Sequence, residues 1–160
     1  MQKVTILCTG KLKEKFYLDA VAEYVKRLSR FCKLEIIELP EERLPEDPSP
    51  AQIEAALSKE ADAVRAKLPN GCLVIAMCVE GRERSSEELA RYLADSAAQG
   101  ASHIVFLIGS SFGMHESLKR QAALRLSMSP MTFPHHLLRV MLLEQIYRAY
   151  QIAAGTKYHK

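Results

Sequence analysis

Four stretches of the chain hold residue types whose spacing suits chemistry. Gly109-Ser110-Ser111-Phe112-Gly113 follows the apolar run Ile104–Ile108. A glycine there lets the backbone approach a ligand closely. The stretch contains neither G-x-G-x-x-G nor G-x-x-x-x-G-K-[ST], so it is not a dinucleotide fingerprint or a P-loop. Taken alone, it reads as a strand-ending turn. Met128-Ser129-Pro130-Met131-Thr132-Phe133-Pro134 is less ordinary. Ser129 and Phe133 each precede a proline and are pushed toward extended backbone. Pro130 and Pro134 fix two φ angles. The product is a stiff, non-helical segment with free backbone donors and acceptors between Met and Phe side chains. Such a segment suits a flat heterocycle, its edge read by the backbone and its faces packed by apolar groups. The simpler reading is a rigid connector into the last helix. Glu80-Gly81-Arg82, after the run Leu73–Val79, is a further loop of the same kind.

The C-terminal stretch carries side-chain chemistry. His135 and Arg139 lie one turn apart on one face of a helix. At the helix start, the positive end of the dipole disfavours a protonated imidazole on His135. The tail Gly155-Thr156-Lys157-Tyr158-His159-Lys160 should fray. Its aromatic, imidazole and two lysines suit stacking on a base and clamping phosphate, or simply a solubilising end. Metal binding is not expected. His103, His115, His135, His136 and His159 are scattered, and the adjacent pair His135-His136 does not share a helix face. Cys8, Cys32, Cys72 and Cys78 show no C-x-x-C spacing and read as small thiols in a reducing compartment.

The elements that must position these residues follow from periodicity. Strands are expected at Val4–Cys8, Leu34–Leu39, Leu73–Val79, Ile104–Ile108 and Leu124–Met128. Between them, helical spacing covers Glu14–Arg30, then a segment from the Ser49 cap and Pro50 to about Leu68. Further helices run from Ser85 or Ser86 to near Gly100, over His115–Ala123, and over residues 134–153. Strands alternating with helices predict an α/β sandwich with a mostly parallel sheet. In such sheets ligands bind beyond the carboxyl ends of the strands, where all the loops above fall. The last helix is apolar almost all round, which predicts burial between two subunits and hence a homodimer.

The whole chain, residues 1–160, is expected to be one domain. Its 48% hydrophobic and 26% charged residues exclude a disordered tail, a collagen-like repeat and a disulfide miniprotein. No apolar run approaches the roughly 18 residues of a membrane helix, and the start lacks a signal-peptide pattern, so a cytoplasmic protein is expected. A net charge of +3 is mild, but its distribution is uneven. Residues 1–33 carry 8 bases against 3 acids, residues 34–63 carry 2 against 9, and residues 134–160 carry 4 against 1. If the fold joins the two ends, they form a basic face for a polyanion.

Several strings are more specific than these patterns. Thr9-Gly10-Lys11-Leu12-Lys13-Glu14-Lys15, Ile108-Gly109-Ser110, Leu126 to His135, Arg139 with Glu144-Gln145-Ile146-Tyr147-Arg148-Ala149, and Tyr158-His159-Lys160 occur in that order. Together, from end to end, they resemble the SPOUT methyltransferases, in particular the small bacterial enzymes that methylate N3 of a pseudouridine in large-subunit rRNA. The resemblance implies a parallel α/β sheet with a C-terminal trefoil knot and a homodimer. It also implies S-adenosylmethionine as cofactor, contacted by Met77, Gly109, Met128, Ser129, Pro130, Met131, Thr132 and Phe133. It makes His135, Arg139, Tyr158 and His159 the catalytic candidates. Arg139 would stabilise charge on the base or a nearby phosphate, His159 (or else His135) would take the N3 proton, and Tyr158 would stack on the flipped base. The tail would reach the neighbouring subunit's cofactor.

Similar members often read Gly-Gly where this chain has Gly109-Ser110. Ser110 would be strained by about 1–3 kcal/mol if that position needs positive φ. The small size implies recognition on the assembled ribosome rather than on naked rRNA. The alternative is a non-enzymatic ribosome- or RNA-binding module of the same fold, which would bind RNA but no S-adenosylmethionine. A receiver-like domain is disfavoured, because Cys8-Thr9-Gly10 and Leu39-Pro40 stand where its acidic residues would be.

Overall fold

A computed structural model describes residues 1–160. The β-branched and apolar runs form β1 (Lys3–Thr9), β2 (Lys33–Leu39), β3 (Leu73–Glu83), β4 (His103–Ile108) and β5 (Leu124–Ser127). Helices α1 (Lys15–Leu28), α2 (Pro50–Lys67), α3 (Ser86–Ala98), α4 (Glu116–Gln121) and α5 (His135–Ala153) alternate with them. The five strands make one sheet in the order β2-β1-β4-β3-β5, and every pairing is parallel. The α/β expectation holds, and the sheet is parallel throughout.

Local chemistry sets the helix starts. Ser49 and Ser85 each accept a hydrogen bond from the backbone N–H three residues on, while Gln52 and Glu88 accept from the cap N–H in return. Pro50 occupies the first position of α2, where its missing N–H costs nothing.

Alternate residues of each strand feed two cores. Val4, Ile6, Ile104, Phe106 and Ile75 face α1, α3 and α5; Leu7, Val105, Leu107, Val74 and Ala76 face α2 and α4. Within the first core Leu142, Leu143 and Ile146 of α5 are fully buried. Each such burial contributes about 1.5–3 kcal/mol. α5 thus buries one stripe against the sheet, α1 and α3, and Leu137, Leu138, Val140 and Met141 stay half-buried. Tyr24 of α1 meets Tyr147 of α5 edge-on at 6.3 Å, so the two basic ends of the chain adjoin.

The strand β3 departs from expectation. Glu80-Gly81-Arg82, read as a loop, lies within a strand that continues to Glu83. Its pairing with β5 shifts register: Leu126 pairs with Met77 and again with Arg82. Between these points β3 bows out and β5 lies in the bend. Gly81 permits it, since a Cβ there would lie 2.9 Å from the backbone carbons of Arg125 and Leu126. The partner that makes residues 80–83 a strand is more than forty residues away, beyond the reach of local periodicity.

Candidate functional site

The carboxyl ends of β3 and β4 and the start of α5 enclose a cleft of about 770 Å³. That is within the usual size of a small-molecule site. Four of the eight predicted cofactor contacts, Met77, Gly109, Thr132 and Phe133, line it. A smaller apolar recess of about 40 Å³ opens beside it, lined by Met77, Met128, Ser129, Met131 and Phe133, with Leu138 common to both. The structure therefore brings seven of the eight together, and Pro130 lines neither space.

Backbone hydrogen bonding in the connector suits a heterocycle edge. The Met131 N–H donates to the Ser129 hydroxyl at 3.0 Å, and the Ser127 hydroxyl donates to the Ser129 carbonyl at 3.0 Å. The N–H groups of Thr132 and Phe133 have no protein acceptor, and both residues face the cleft. Two adjacent free donors on an apolar wall can read a flat ring system.

The glycine bend forms the opposite wall. Ser110 N–H donates to the Gly113 carbonyl at 3.0 Å, and Gly113 N–H donates to the Ser110 carbonyl at 2.9 Å. The turn is so tight that a Cβ on Gly109 would sit 2.3 Å from the Gly113 oxygen. No residue other than glycine has positive φ, so Ser110 is unstrained; Gly113, at φ +94°, takes that conformation instead. The feared cost at Ser110 does not arise. Its hydroxyl donates to Glu60 Oε1 at 2.7 Å in a buried contact, and Glu60 Oε2 accepts from Glu42 N–H at 2.9 Å. Burial pushes the Glu60 carboxyl up, against the lowering effect of those two hydrogen bonds. Glu41 accepts from both the N–H and the hydroxyl of Ser111. The acidic stretch between β2 and α2, with Glu60 of α2, is the buttress of the bend. Nothing in its local pattern pointed there, because the contacts that reach the bend join residues fifty or more positions apart.

His135 lines the cleft from the first turn of α5. Burial, then the neighbouring charges of His136 and Arg139, hold its imidazole below the usual histidine range. Its Nε2 would be 3.3 Å from a Cβ on Gly10, which adopts φ +121° at the end of β1. Only glycine supplies both that φ and the space.

Arg139 is held inside the fold. It is 2% exposed, and its guanidinium donates to Glu38 Oε2 at 2.7 Å and to the Gly10 carbonyl at 3.3 Å. Glu38 Oε2 also accepts from Leu12 N–H at 2.8 Å. Within one chain Arg139 ties α5 to the ends of β1 and β2.

The tail is also not frayed. Thr156 closes onto Gln151, and Tyr158 donates to Glu144 at 3.0 Å with its ring edge-on to Tyr147 at 5.0 Å. The Arg148 guanidinium lies 4.7 Å over the Tyr158 ring. His159 contacts Glu87 through Nε2 at 2.7 Å and Arg148 through Nδ1 at 3.1 Å. Burial and the Glu144 carboxylate push the Tyr158 hydroxyl up. On α5 these contacts begin nine residues beyond His135, about 13 Å by helical rise. The structure does not bring Tyr158 and His159 into the cleft of their own chain.

A parallel α/β sandwich with a ligand-sized cleft at its strand ends is an architecture in which small-ligand sites recur. Comparison with known proteins narrows the class. Residues 2–159 match the family model described as "Predicted SPOUT methyltransferase". The chain belongs to the SPOUT methyltransferase family. It is 46% identical over 158 residues to the ribosomal RNA large subunit methyltransferase H of Streptococcus uberis, covering 99% of each chain. It is equally identical, over the same shares, to the protein so named from Bifidobacterium adolescentis. With the one from Lactobacillus delbrueckii subsp. bulgaricus it shares 43% over 157 residues, 98% of this chain and 99% of that one. A solved structure of a probable methylase family protein from Haemophilus influenzae aligns at TM-score 0.51 and 13% identity. It covers 99% of this chain and 70% of the other, and it supports the fold alone. No helix is long and apolar enough to cross a membrane.

Proposed function

We propose that this protein transfers a methyl group from S-adenosylmethionine to N3 of a pseudouridine in large-subunit rRNA, acting in the cytoplasm on the assembled ribosome. The observation that carries the reading is the cleft at the ends of β3 and β4. There the glycine bend, the double-proline connector and His135 meet. The family and the relatives' names supply the class of reaction.

The cofactor supplies an electrophilic methyl on sulfonium, so the chain's task is alignment, worth up to about 7–11 kcal/mol. Thr132 and Phe133 N–H groups read the adenine edge, and Met77, Met128, Met131 and Phe133 pack its faces. Gly109 and Ser129 close the two ends of that wall, with Pro130 keeping the connector extended. His135, uncharged at neutral pH, accepts the N3 proton. Arg139 is a positioning residue that seats α5 against Gly10. In this reading the protein is a homodimer, with Leu137 and Met141 among the residues its partner covers. Tyr158 and His159 meet the target base across the dimer. A trefoil knot accords with Leu126 pairing on both sides of the β3 bend and with the close backbone approach at Gly81.

The test has two arms. Calorimetric titration with S-adenosylmethionine should give saturable binding, and rRNA from cells lacking the gene should lose one methyl group at a pseudouridine by mass spectrometry. RNA binding without cofactor binding would make the protein a ribosome-binding module instead.

A further inference from the structure

We propose that Lys11 and Lys13, on the loop between β1 and α1, form a rigid phosphate-binding rim that grips the rRNA backbone beside the cleft. The inference rests on the rRNA-methylating reading above and adds the surface by which the substrate is held. Lys11 and Lys13 are exposed, whereas Leu12 between them is 4% exposed and anchored in the protein. The loop thus presents two ammonium groups outward about one fixed apolar peg.

Its backbone is held at two further points. Glu38 accepts from Leu12 N–H, and Arg139 donates to the Gly10 carbonyl. The same Gly10 abuts His135, which lines the cleft, so the lysines follow directly on a residue packed against the cleft wall.

The nearby carboxylates have partners other than these two lysines. Glu38 is engaged by Arg139 and Leu12, Glu41 by Ser111, and Glu14 by His136 at 3.3 Å. Lys15 is paired with Asp19. Lys11 and Lys13 have no carboxylate within ion-pair distance. A fixed loop needs no backbone ordering for its two ammonium groups to meet phosphates, and each neutralised phosphate releases counterion. Phosphate contacts position nucleic acid without reading its sequence, which fits a site whose specificity lies in the cleft.

The experiment compares two double variants of the full chain. Lys11→Gln with Lys13→Gln removes the rim. Lys33→Gln with Lys67→Gln removes equal charge at the opposite, amino-terminal ends of the strands. Binding to large ribosomal subunits from cells lacking the gene is measured over a range of KCl, and S-adenosylmethionine affinity is measured by calorimetry. At about 0.7–0.9 per phosphate contact, the rim variant should lose about 1.5 from the log–log salt slope. The opposite-end variant should keep the slope, and both should keep cofactor affinity. Equal slopes in the two variants would overturn the rim while leaving the methyltransferase reading intact. A rim variant that loses cofactor affinity would make the loop structural and also overturn it. If the unaltered protein binds neither subunits nor cofactor, both readings fall together.

Discussion

The Ser110 hydroxyl of the glycine bend donates to the buried carboxylate of Glu60 on α2 at 2.7 Å, joining a cleft wall to the opposite face of the sheet. Because burial raises the Glu60 pKa, its ionised form opposes folding. Its favourable contribution is present below the ordinary carboxyl value near 4.5 and is lost as pH rises through the raised folded value. Glu60→Gln should therefore lower neither Tm nor cofactor affinity at pH 7, and it should flatten the stability profile between the ordinary carboxyl value and the raised one. Glu60→Ala should cost about 1–3 kcal/mol, since Ser110 and the Glu42 N–H lose their acceptor. Thermal unfolding between pH 4 and 8 checks both.

Glu38 behaves in the opposite sense. Burial raises its carboxyl, but hydrogen bonds from Arg139 and Leu12 N–H outweigh that and hold it below the usual range. Its stabilisation is present above the ordinary carboxyl value and fades as pH falls through the lowered one. Arg139→Met should destabilise by about 3 kcal/mol, the lower end for a broken buried pair, because Glu38 remains a third exposed. Restoring neutrality with Glu38→Gln in the same chain should recover part of the loss. Denaturant unfolding of the two single variants and the double variant measures the coupling.

Glycine substitutions separate the cleft from the fold. Gly109→Ala places a Cβ 2.3 Å from the Gly113 oxygen and must open the bend. Cofactor affinity should fall at least tenfold by calorimetry while far-ultraviolet circular dichroism stays unchanged. Gly81→Ala pushes instead on the backbone of Arg125 and Leu126, and soluble yield and Tm should both drop.

For His135 the prediction concerns pH. With its pKa held below the ordinary 6.5, the neutral form dominates at pH 7. Turnover should rise with pH through that lowered value and be flat above about pH 7. His135→Ala should lose about 10²–10⁴-fold in rate and abolish that rise, with cofactor affinity kept. Single-turnover methylation of ribosomal subunits across pH reads it.

Mixing tests the tail. A Gly109→Ala chain and a chain lacking residues 156–160 should each be inactive alone. Together they should recover activity through mixed dimers if the tail serves the partner's cleft. No recovery on mixing would confine each site to one chain.

Much of this was legible in the residues. The alternation of strands and helices, the caps at Ser49 and Ser85, and the convergence of the Gly109 and Pro130 segments follow from short-range rules of backbone and periodicity. What local pattern missed shares one cause. The pairing of Arg139 was hidden because Glu38 sits 101 positions earlier. The tail looked frayed because Glu87 and Glu144, which hold it, lie on the two helices it packs between. Residues 80–83 looked like a loop because their strand partner is β5. Each was decided by an interaction distant in sequence, where local pattern carries no information.

The embrace of β5 by the bowed β3 also bears on how firmly the cleft is held. β5 is an edge strand whose sheet neighbour is β3, and Leu126 meets that neighbour at both Met77 and Arg82, so its seat exists only where β3 has taken its bent course. The ligand-facing connector follows immediately behind it and the cleft's other wall flanks it. The footing of that connector is therefore only as firm as the grip of β3 on a four-residue strand.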